Sequence, residues 1–272
     1  MKAIGTILIT LFLMANFAKA QDTLYIYKAG EVLYKQVVTN IDSVTFKKSI
    51  TVPETGTVTD IDGNVYHTVT IGTQTWMVEN LKTTKYRYGG AIPNVKDWSS
   101  WQNLSSGAYC NYNNVEANGL KYGRLYNWYV VIDSPIAPVG WHIPNDEEWE
   151  TLIAFLIANG GNYDSTTSGN KIGKSLAANT DWIPDTGAGT VGNDLTTNNK
   201  SGFTALPGSF QYWYGSFSIL LGFQGTWWSA TGDTYFPLSP SSIYYLCSNN
   251  SSLNHGADTK TAGYSIRCIK DK

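Results

Sequence analysis

The most regular apolar pattern in the chain follows Asn145. Four apolar residues recur there at the spacing i, i+3, i+4, i+7 and would share one face of a helix: Trp149, Leu152, Ile153 and Leu156. Asn145 is a favourable N-cap residue, and Glu148 stands three positions later, as in a capping box. The pattern predicts a helix that begins after Asn145 and ends at residues 159–161, and a second short helix over residues 170–178.

Strand patterns come earlier in the chain. Alternating apolar and polar residues on either side of Ala29-Gly30, and again over residues 41–46, predict a small β-meander in residues 21–50. Such a unit is only marginally stable alone. The polar, turn-prone segment 51–57 is the expected linker to a main domain over residues 58–272.

Turns and loops divide the main domain. Asp62-Gly63 lies between β-rich flanks and predicts a hairpin, and Gly72-Thr73 predicts a second turn. Residues 180–201 are rich in Gly, Thr, Asn and Asp and predict a long irregular loop. Strand signals return over residues 202–208, 223–231, 242–246 and 264–269.

The first twenty residues have the pattern of a cleavable signal peptide. Lys2 precedes an apolar run over residues 4–17, and Ala18-Lys19-Ala20 is a small-x-small cleavage site. The run is shorter than the roughly 18 residues of a membrane-spanning helix, and no later stretch of the sequence reaches that length. We therefore expect an exported protein, extracellular, periplasmic or at the cell surface, that begins near Gln21 and does not insert into the membrane.

Charge and composition exclude some partners. The net charge is -2, with 19 basic and 21 acidic residues, so the sequence offers no electrostatic attraction for nucleic acid or an anionic membrane surface. The three cysteines allow one disulfide with three alternative pairings and leave one thiol: Cys110, Cys247 and Cys268. No two cysteines have C-x-x-C spacing and the three histidines are scattered, so no zinc site is expected.

Motifs for catalysis are missing from the sequence, which contains no nucleophile elbow, phosphate loop or dinucleotide fingerprint. His142 could pair with Asp146 or Glu147, but acidic residues at a helix N-terminus stabilise the helix dipole, and we prefer that explanation. Asp60 and Asp62 lack the glutamate that completes a calcium loop, so they are interpreted as part of a turn. A carboxylate pair that meets only in space stays possible.

Four blocks of aromatic residues and glycine follow one another in the main domain. Their sequences are GTQTWMVENL (72–81), YGRLYNW (122–128), GWHIPNDEEW (140–149) and GYSIRC (263–268). In this order and spacing the chain resembles the Fibrobacter succinogenes major paralogous domain, a module of bacterial surface and secreted proteins, over residues 58–272. The N-terminal unit is similar to short leader units that precede exported modules of the Bacteroidota.

The chain also resembles the C-type lectin architecture, including its formylglycine-generating branch. Residues 140–150 and 263–268 are similar to two sequence blocks that recur in that branch. It implies an α+β, C-type-lectin-like domain with few helices, antiparallel strands and long loops. The copper-binding cysteine pair and the iron-binding histidines of enzymatic relatives have no counterpart here, so no enzyme is expected. The calcium-binding triplets of sugar-binding lectins are also missing. A calcium site in the loop is a minor alternative, and the ligands of that calcium ion would be Asp185, Asn193 and Asp194. No other cofactor is expected.

Aromatic residues supply the remaining candidates. Four tryptophans lie in the blocks above and are predicted to pack in the core: Trp76, Trp128, Trp141 and Trp149. Six aromatic residues in loops are the candidate ligand-binding residues: Trp98, Trp101, Trp182, Tyr212, Trp213 and Tyr214. Exposed aromatic rings flanked by Asn, Asp, Ser and Gln suit sugar binding, and they equally mark protein interfaces.

The sequence therefore favours a non-catalytic recognition module whose partner is glycan or polysaccharide. The alternatives are a protein-interaction or structural surface module that binds another surface protein, and an enzyme of unknown class. Aromatic residues along an elongated groove would favour polysaccharide, and a compact flat patch would favour protein. Convergent carboxylates with a histidine in a deep pocket would favour catalysis.

Overall fold

The computed structural model describes residues 23–28, 31–37, 55–133, 135–218, 220–232 and 239–272. The chain divides into two units, residues 1–48 and residues 49–272. In the first unit, strands β1 (Thr23–Lys28) and β2 (Glu31–Val37) pair as an antiparallel hairpin. The predicted signal peptide and the third strand of the meander lie outside the described residues.

The first sheet of the second unit contains five antiparallel strands. Their order is β3 (Thr55–Thr59), β4 (Val65–Ile71), β5 (Gln74–Met77), β12 (Ile269–Lys270) and β8 (Trp141–His142). Both predicted turns are present, at Gly63 and Gly72, where φ is 85° and 65°. The expected linker over residues 51–57 is too long, because the threonine-rich segment 55–57 pairs with β4 and belongs to the sheet.

A second sheet forms near the C-terminus, in the order β11 (Asn254–Asp258), β10 (Ser241–Cys247) and β9 (Gln224–Gly232). β9 and β10 confirm the strand signals. β11 was missed because its sequence is polar and contains glycine, and backbone pairing with β10 holds it in place. Two short strands, β6 (Tyr109–Cys110) and β7 (Leu125–Tyr126), form a separate pair. The signal over residues 202–208 corresponds only to isolated bridges such as that at Ala205. In the signal over residues 264–269, Tyr264 forms an isolated bridge and Ile269 begins β12.

The predicted helix after Asn145 is confirmed as α4 (Asp146–Ala158). The Asn145 side chain accepts from the Glu148 N–H over 3.0 Å, and the Glu148 carboxylate accepts from the Asn145 N–H over 3.0 Å. The remaining described α-helices are short: α1 (Trp98–Trp101), α2 (Glu116–Tyr122), α3 (Tyr129–Asp133) and α5 (Gly173–Leu176). α5 is shorter than the predicted segment 170–178, although Ile172 and Leu176 are buried as expected.

Residues 180–201 form the predicted irregular loop, with one short 3-10 turn at Leu195–Thr197. Within the described part of the chain, no helix combines the length and the apolar character needed to cross a membrane.

Aromatic rings fill the largest core cluster, which joins both sheets to α4. Trp149 of α4 meets rings from each sheet there, with centroids 4.8 Å from Trp76 and 6.4 Å from Trp227. Such side chains bury about 150–250 Å² each and dominate core energetics. The four tryptophans predicted to lie in the core are all buried: Trp76, Trp128, Trp141 and Trp149.

A buried arginine fixes the last aromatic block. Arg267 is fully buried, and its guanidinium lies 4.2 Å from the centroid of the Phe203 ring. Its Nη2 and Nε donate to Asn80 Oδ1 over 2.7 and 3.0 Å, and Nη1 donates to the Phe203 carbonyl. Burial lowers the pKa of Arg267 to about 9, so the group stays charged at neutral pH. The C-terminal block is therefore locked to the segment that follows β5.

Candidate functional site

An exposed aromatic loop forms the tip of a tight hairpin over residues 211–217. Gln211 pairs with Phe217 across the hairpin. The Tyr212 N–H donates to the Ser216 carbonyl over 2.8 Å. Gly215 has a φ of 89°, a conformation that glycine adopts without steric cost. The turn places three of the predicted ligand-binding residues at its tip: Tyr212, Trp213 and Tyr214.

Gln211 anchors this hairpin in the interior. Its side chain is fully buried, with Nε2 donating to the Gly215 carbonyl over 2.8 Å. Its Oε1 accepts from the Cys110 thiol over 2.9 Å. The main chain of Gln211 also pairs with Gly263 of the C-terminal block. Because Cys110 and Gly263, both outside the hairpin, hold its base, the exposed tip is supported by the rigid part of the domain.

The rings at the tip face different directions. Tyr212 and Tyr214 are stacked, with centroids 5.2 Å apart and an interplanar angle of 7°. Trp213 stands at 86° to Tyr214, with centroids 5.3 Å apart. Trp213 is 49% exposed and Tyr214 is 40% exposed, so two perpendicular ring surfaces are available to solvent.

Helix α1 brings Trp98 next to the hairpin tip. A Cβ atom added to Gly215 would lie 2.6 Å from the Cα of Trp98, so the hairpin tip packs against the start of the helix. Trp98 is 61% exposed. We call this group the aromatic cluster; its members are Trp98, Tyr212, Trp213 and Tyr214.

Two of the six predicted binding residues do not belong to this surface, and their expected exposure is wrong. Trp101 is fully buried, and its indole N–H donates to the Thr261 carbonyl over 2.6 Å. Trp182 is also buried, and its indole N–H donates to the Ala205 carbonyl over 3.1 Å. Both side chains fill the interior, where each indole N–H has a main-chain acceptor.

A carboxylate lies beside the aromatic cluster. Asp97 caps α1, and its Oδ2 accepts from the Ser99 hydroxyl over 2.6 Å and the Ser100 N–H over 2.8 Å. These hydrogen bonds, that of Ser99 first, lower the pKa of Asp97. The cluster is thus flanked by an ionised acceptor that a ligand hydroxyl could reach.

The loop residues considered for calcium bind within their own loop. The Asp185 carboxylate accepts from the Gly187 N–H and the Thr190 hydroxyl. Asp194 caps the 3-10 turn by accepting from the Thr196 N–H and hydroxyl. Asn193 contributes its carbonyl to an internal cation instead.

That cation is the ammonium of Lys174, which is buried and donates to the carbonyls of Thr190, Asn193 and Asp194. Burial lowers the pKa of Lys174. Lys174, a residue of α5, therefore supports the loop at the position where these three carbonyl oxygens converge.

The aspartates near the first hairpin also have internal partners. Asp60 accepts from the N–H groups of Asp62 and Asn64, each over 2.9 Å. Asp62 accepts from the N–H and hydroxyl of Thr84 and lies 3.0 Å from the Lys85 ammonium. Burial alone would raise the pKa of Asp62, but these bonds outweigh it and lower the pKa to about 2. The arrangement agrees with the predicted turn.

His142 contacts carboxylates other than those expected. Its Nε2 lies 2.9 Å from Glu148 and its Nδ1 lies 2.6 Å from Asp271, whereas Asp146 contacts a different histidine. Burial by itself lowers the pKa of His142, but the bonds to Asp271 and Glu148 outweigh it and the pKa is raised. The histidine joins the N-terminus of α4 to the end of the chain.

A serine, a histidine and an aspartate that the sequence analysis missed also meet on the second sheet. The Ser242 hydroxyl lies 2.7 Å from His255 Nε2 and donates to Asp146 over 2.8 Å. The His255 ring stacks on Tyr244 with centroids 4.7 Å apart. These residues come from β10, β11 and α4, and the polar β11 segment gave no sequence signal for their meeting.

The three cysteines are free thiols in this structure. Burial raises the pKa of Cys110 and Cys268, and that of Cys247 to about 11, so none is a reactive thiolate at neutral pH. Among the described residues, no three His, Cys, Asp or Glu side chains are arranged to hold a metal ion.

Comparison with known proteins identifies a family for most of the chain. Residues 69–270 match the family model of the Fibrobacter succinogenes major domain. The chain has no match among curated proteins or solved structures. The matched residues contain both sheets of the second unit except β3 and the first four residues of β4, together with the aromatic cluster and α4. Since the match covers well over half of the sequence, the chain belongs to the Fibrobacter succinogenes major domain family.

Proposed function

We propose that this protein is an exported, non-catalytic recognition module that binds glycan through the aromatic cluster. The observation that carries the proposal is that the exposed Trp98 lies against the hairpin tip that bears the exposed Trp213 and Tyr214, although they come from distant parts of the chain. Large aromatic side chains that remain exposed together commonly mark a binding surface. A C-type-lectin-like architecture of the α+β domain, with long loops above a rigid core, is part of the proposal.

The chemistry of the cluster suits sugars. Sugar rings present apolar C–H faces that pack against aromatic rings, and hydroxyl groups that donate to carboxylates. Trp98 supplies an exposed ring, and Asp97 beside it supplies a carboxylate whose pKa is lowered by Ser99. No calcium ion is required in this arrangement, since ring stacking and one ionised acceptor provide the contacts.

The shape of the aromatic cluster limits the length and shape of the glycan that it can bind. A long, flat polysaccharide would stack on several coplanar rings in a row. Trp213 instead stands at 86° to Tyr214, and Trp98 adjoins the same turn. A short oligosaccharide or the end of a chain, which can contact two perpendicular surfaces, fits this compact arrangement better.

The same compactness supports a second candidate, the docking of another surface protein. Tryptophan and tyrosine are the residues that most often dominate protein interfaces, and a small cluster of them can anchor a partner. In this case the partner would bury Trp213 and Trp98 in one contact.

Two polar groups bear on the proposal that the module is not an enzyme. Both ring nitrogens of His142 face carboxylates, so neither is available to accept a proton from a substrate. Ser242 contacts His255, but Asp146 bonds the serine and not the far nitrogen of the histidine. A hydrolytic triad needs the acid to orient the histidine. These geometries favour recognition over catalysis.

The experiment is a glycan array probed with the mature chain, with and without calcium, beside a Trp213→Ala variant and a Tyr88→Ala control. Tyr88 is 80% exposed and lies outside the aromatic cluster. The proposal expects binding that Trp213→Ala abolishes and Tyr88→Ala retains. Binding of a surface protein, with no glycan bound by the folded chain, would instead support the second candidate.

A further inference from the structure

A second potential binding site lies apart from the aromatic cluster. A cavity of about 370 Å³ opens beside β8, between the segment after α3 and the end of the chain. Its walls are mostly apolar and include Val131, Ile136, Trp141 and Ile143. Three charged residues complete the lining: Arg87, His142 and Asp271. The volume is within the range of small-molecule sites, which typically combine apolar walls with a few fixed polar groups.

Arg87 is held in a fixed orientation by the main chain. Its Nε donates to the Ala137 carbonyl over 2.8 Å. Its Nη2 donates to the carbonyls of Pro138 and Trp141 over 3.1 and 2.9 Å. These bonds use Nε and Nη2 of the guanidinium. Nη1 donates to none of the described residues, so its two N–H groups remain for a ligand.

Among the described residues, no carboxylate forms an ion pair with Arg87. Asp271 lines the same cavity, but its carboxylate lies 2.6 Å from His142 and is paired with that ring. Within the described part of the chain, every recorded ion pair involves other basic groups. A rigid guanidinium with spare donors at an apolar wall is the group that proteins use to bind carboxylates.

We propose that this cavity binds a small molecule that carries one carboxylate on an apolar body. The carboxylate would accept from the Nη1 N–H groups of Arg87, and the apolar body would cover Trp141 and Ile143. This site is separate from the glycan-binding function proposed above and does not depend on it.

Phenylacetate and its neutral analogue phenylacetamide are suitable probes, because they share an apolar ring and differ in charge. Titration of the mature chain, followed by ligand-observed NMR, should give a dissociation constant for the acid at least about tenfold lower than for the amide. Equal binding of the two probes would overturn the role of Arg87. No saturable binding of either probe at millimolar concentration would overturn the site.

Two variants test the location. Arg87→Gln should reduce phenylacetate binding to the level of the amide, but it also removes bonds to carbonyls and could impair folding. Ala230→Phe is therefore the second variant, since Ala230 lines the cavity from an exposed position of β9. The larger side chain should block both probes while the chain stays folded. Unchanged phenylacetate affinity in a folded Ala230→Phe protein would contradict the proposed location.

Discussion

Gly215 packs so closely on Trp98 that a Cβ atom added to the glycine would lie 2.6 Å from the tryptophan Cα and 2.7 Å from its Cβ. No side chain fits in this space, so the glycine sets the distance between the hairpin tip and α1. The contact joins the two parts of the aromatic cluster, which are remote in sequence.

Substituting this glycine should therefore move the hairpin tip away from Trp98 and separate the two parts of the aromatic cluster. Gly215→Ala combines an unfavourable φ of 89° with the clash against Trp98, and we expect a loss of about 2–3 kcal/mol in unfolding free energy, measured by urea denaturation. Gly89→Ala is the matched control, because Gly89 has a φ of 91° but no neighbouring atom within 4 Å. It should cost only about 1 kcal/mol. Equal losses would mean that the contact with Trp98 is not tight.

The buried pair of Asn80 and Arg267 should be strongly coupled. Asn80 Oδ1 accepts from Arg267 and, over 2.8 Å, from the Trp227 indole N–H. Asn80→Leu leaves the buried guanidinium without its main acceptor and should lower the unfolding free energy by about 3–5 kcal/mol. Chemical denaturation of both single variants and the double variant Asn80→Leu/Arg267→Met measures the coupling. If the double variant loses as much unfolding free energy as the two single variants together, the two residues act independently.

His142 should make stability depend on pH. Its folded-state pKa is raised, so its contribution is complete below the unfolded value of about 6.5 and is lost as pH rises through the folded value. We expect His142→Gln to reduce the melting temperature at about pH 6 more than at about pH 9. Asp271→Asn should weaken this pH dependence, because it removes one of the two carboxylates. An NMR titration that gives His142 a pKa at or below about 6.5 would refute the argument.

Calcium should have little effect on stability, because Asp185 and Asp194 bind within the loop and the Lys174 ammonium occupies the convergent carbonyls. Thermal unfolding with calcium and with chelator should give the same midpoint. A clear calcium-dependent rise would show that the loop binds the ion.

The role of Lys174 can be tested separately. Lys174→Met should destabilise the fold by about 1–3 kcal/mol, because it leaves buried loop carbonyls without a donor. The exposed Lys200, which bonds the Gly160 carbonyl, is the control, and Lys200→Met should change stability by less than about 0.5 kcal/mol. Equal effects of the two substitutions in urea denaturation would contradict a special role for Lys174.

Local signals explain what could be predicted from the sequence. The capping residues and apolar face of α4 are encoded within one short segment, and the turns at Gly63 and Gly72 need only neighbouring residues. The four core tryptophans were also predicted correctly, because they belong to the blocks that carry the family resemblance. These features require no knowledge of distant contacts.

Distant contacts explain what the sequence could not show. Trp98 and Trp101 lie in one short helix, yet the first is exposed and the second is buried against the segment near Thr261. Nothing near either residue in the sequence distinguishes them. The pairing of His142 with Asp271 likewise depends on β8 and β12 being neighbours in the sheet.

The most direct test of the central claim compares Trp98→Ala and Trp213→Ala in calorimetric titrations with the glycan that the mature chain binds most strongly. If the two residues form one surface, each substitution should weaken binding by about tenfold or more, as expected of an interface hot spot, while Tyr88→Ala binds as the unaltered chain does. Full affinity in a folded Trp98→Ala protein, with binding lost only in Trp213→Ala, would contradict a single site built from both residues.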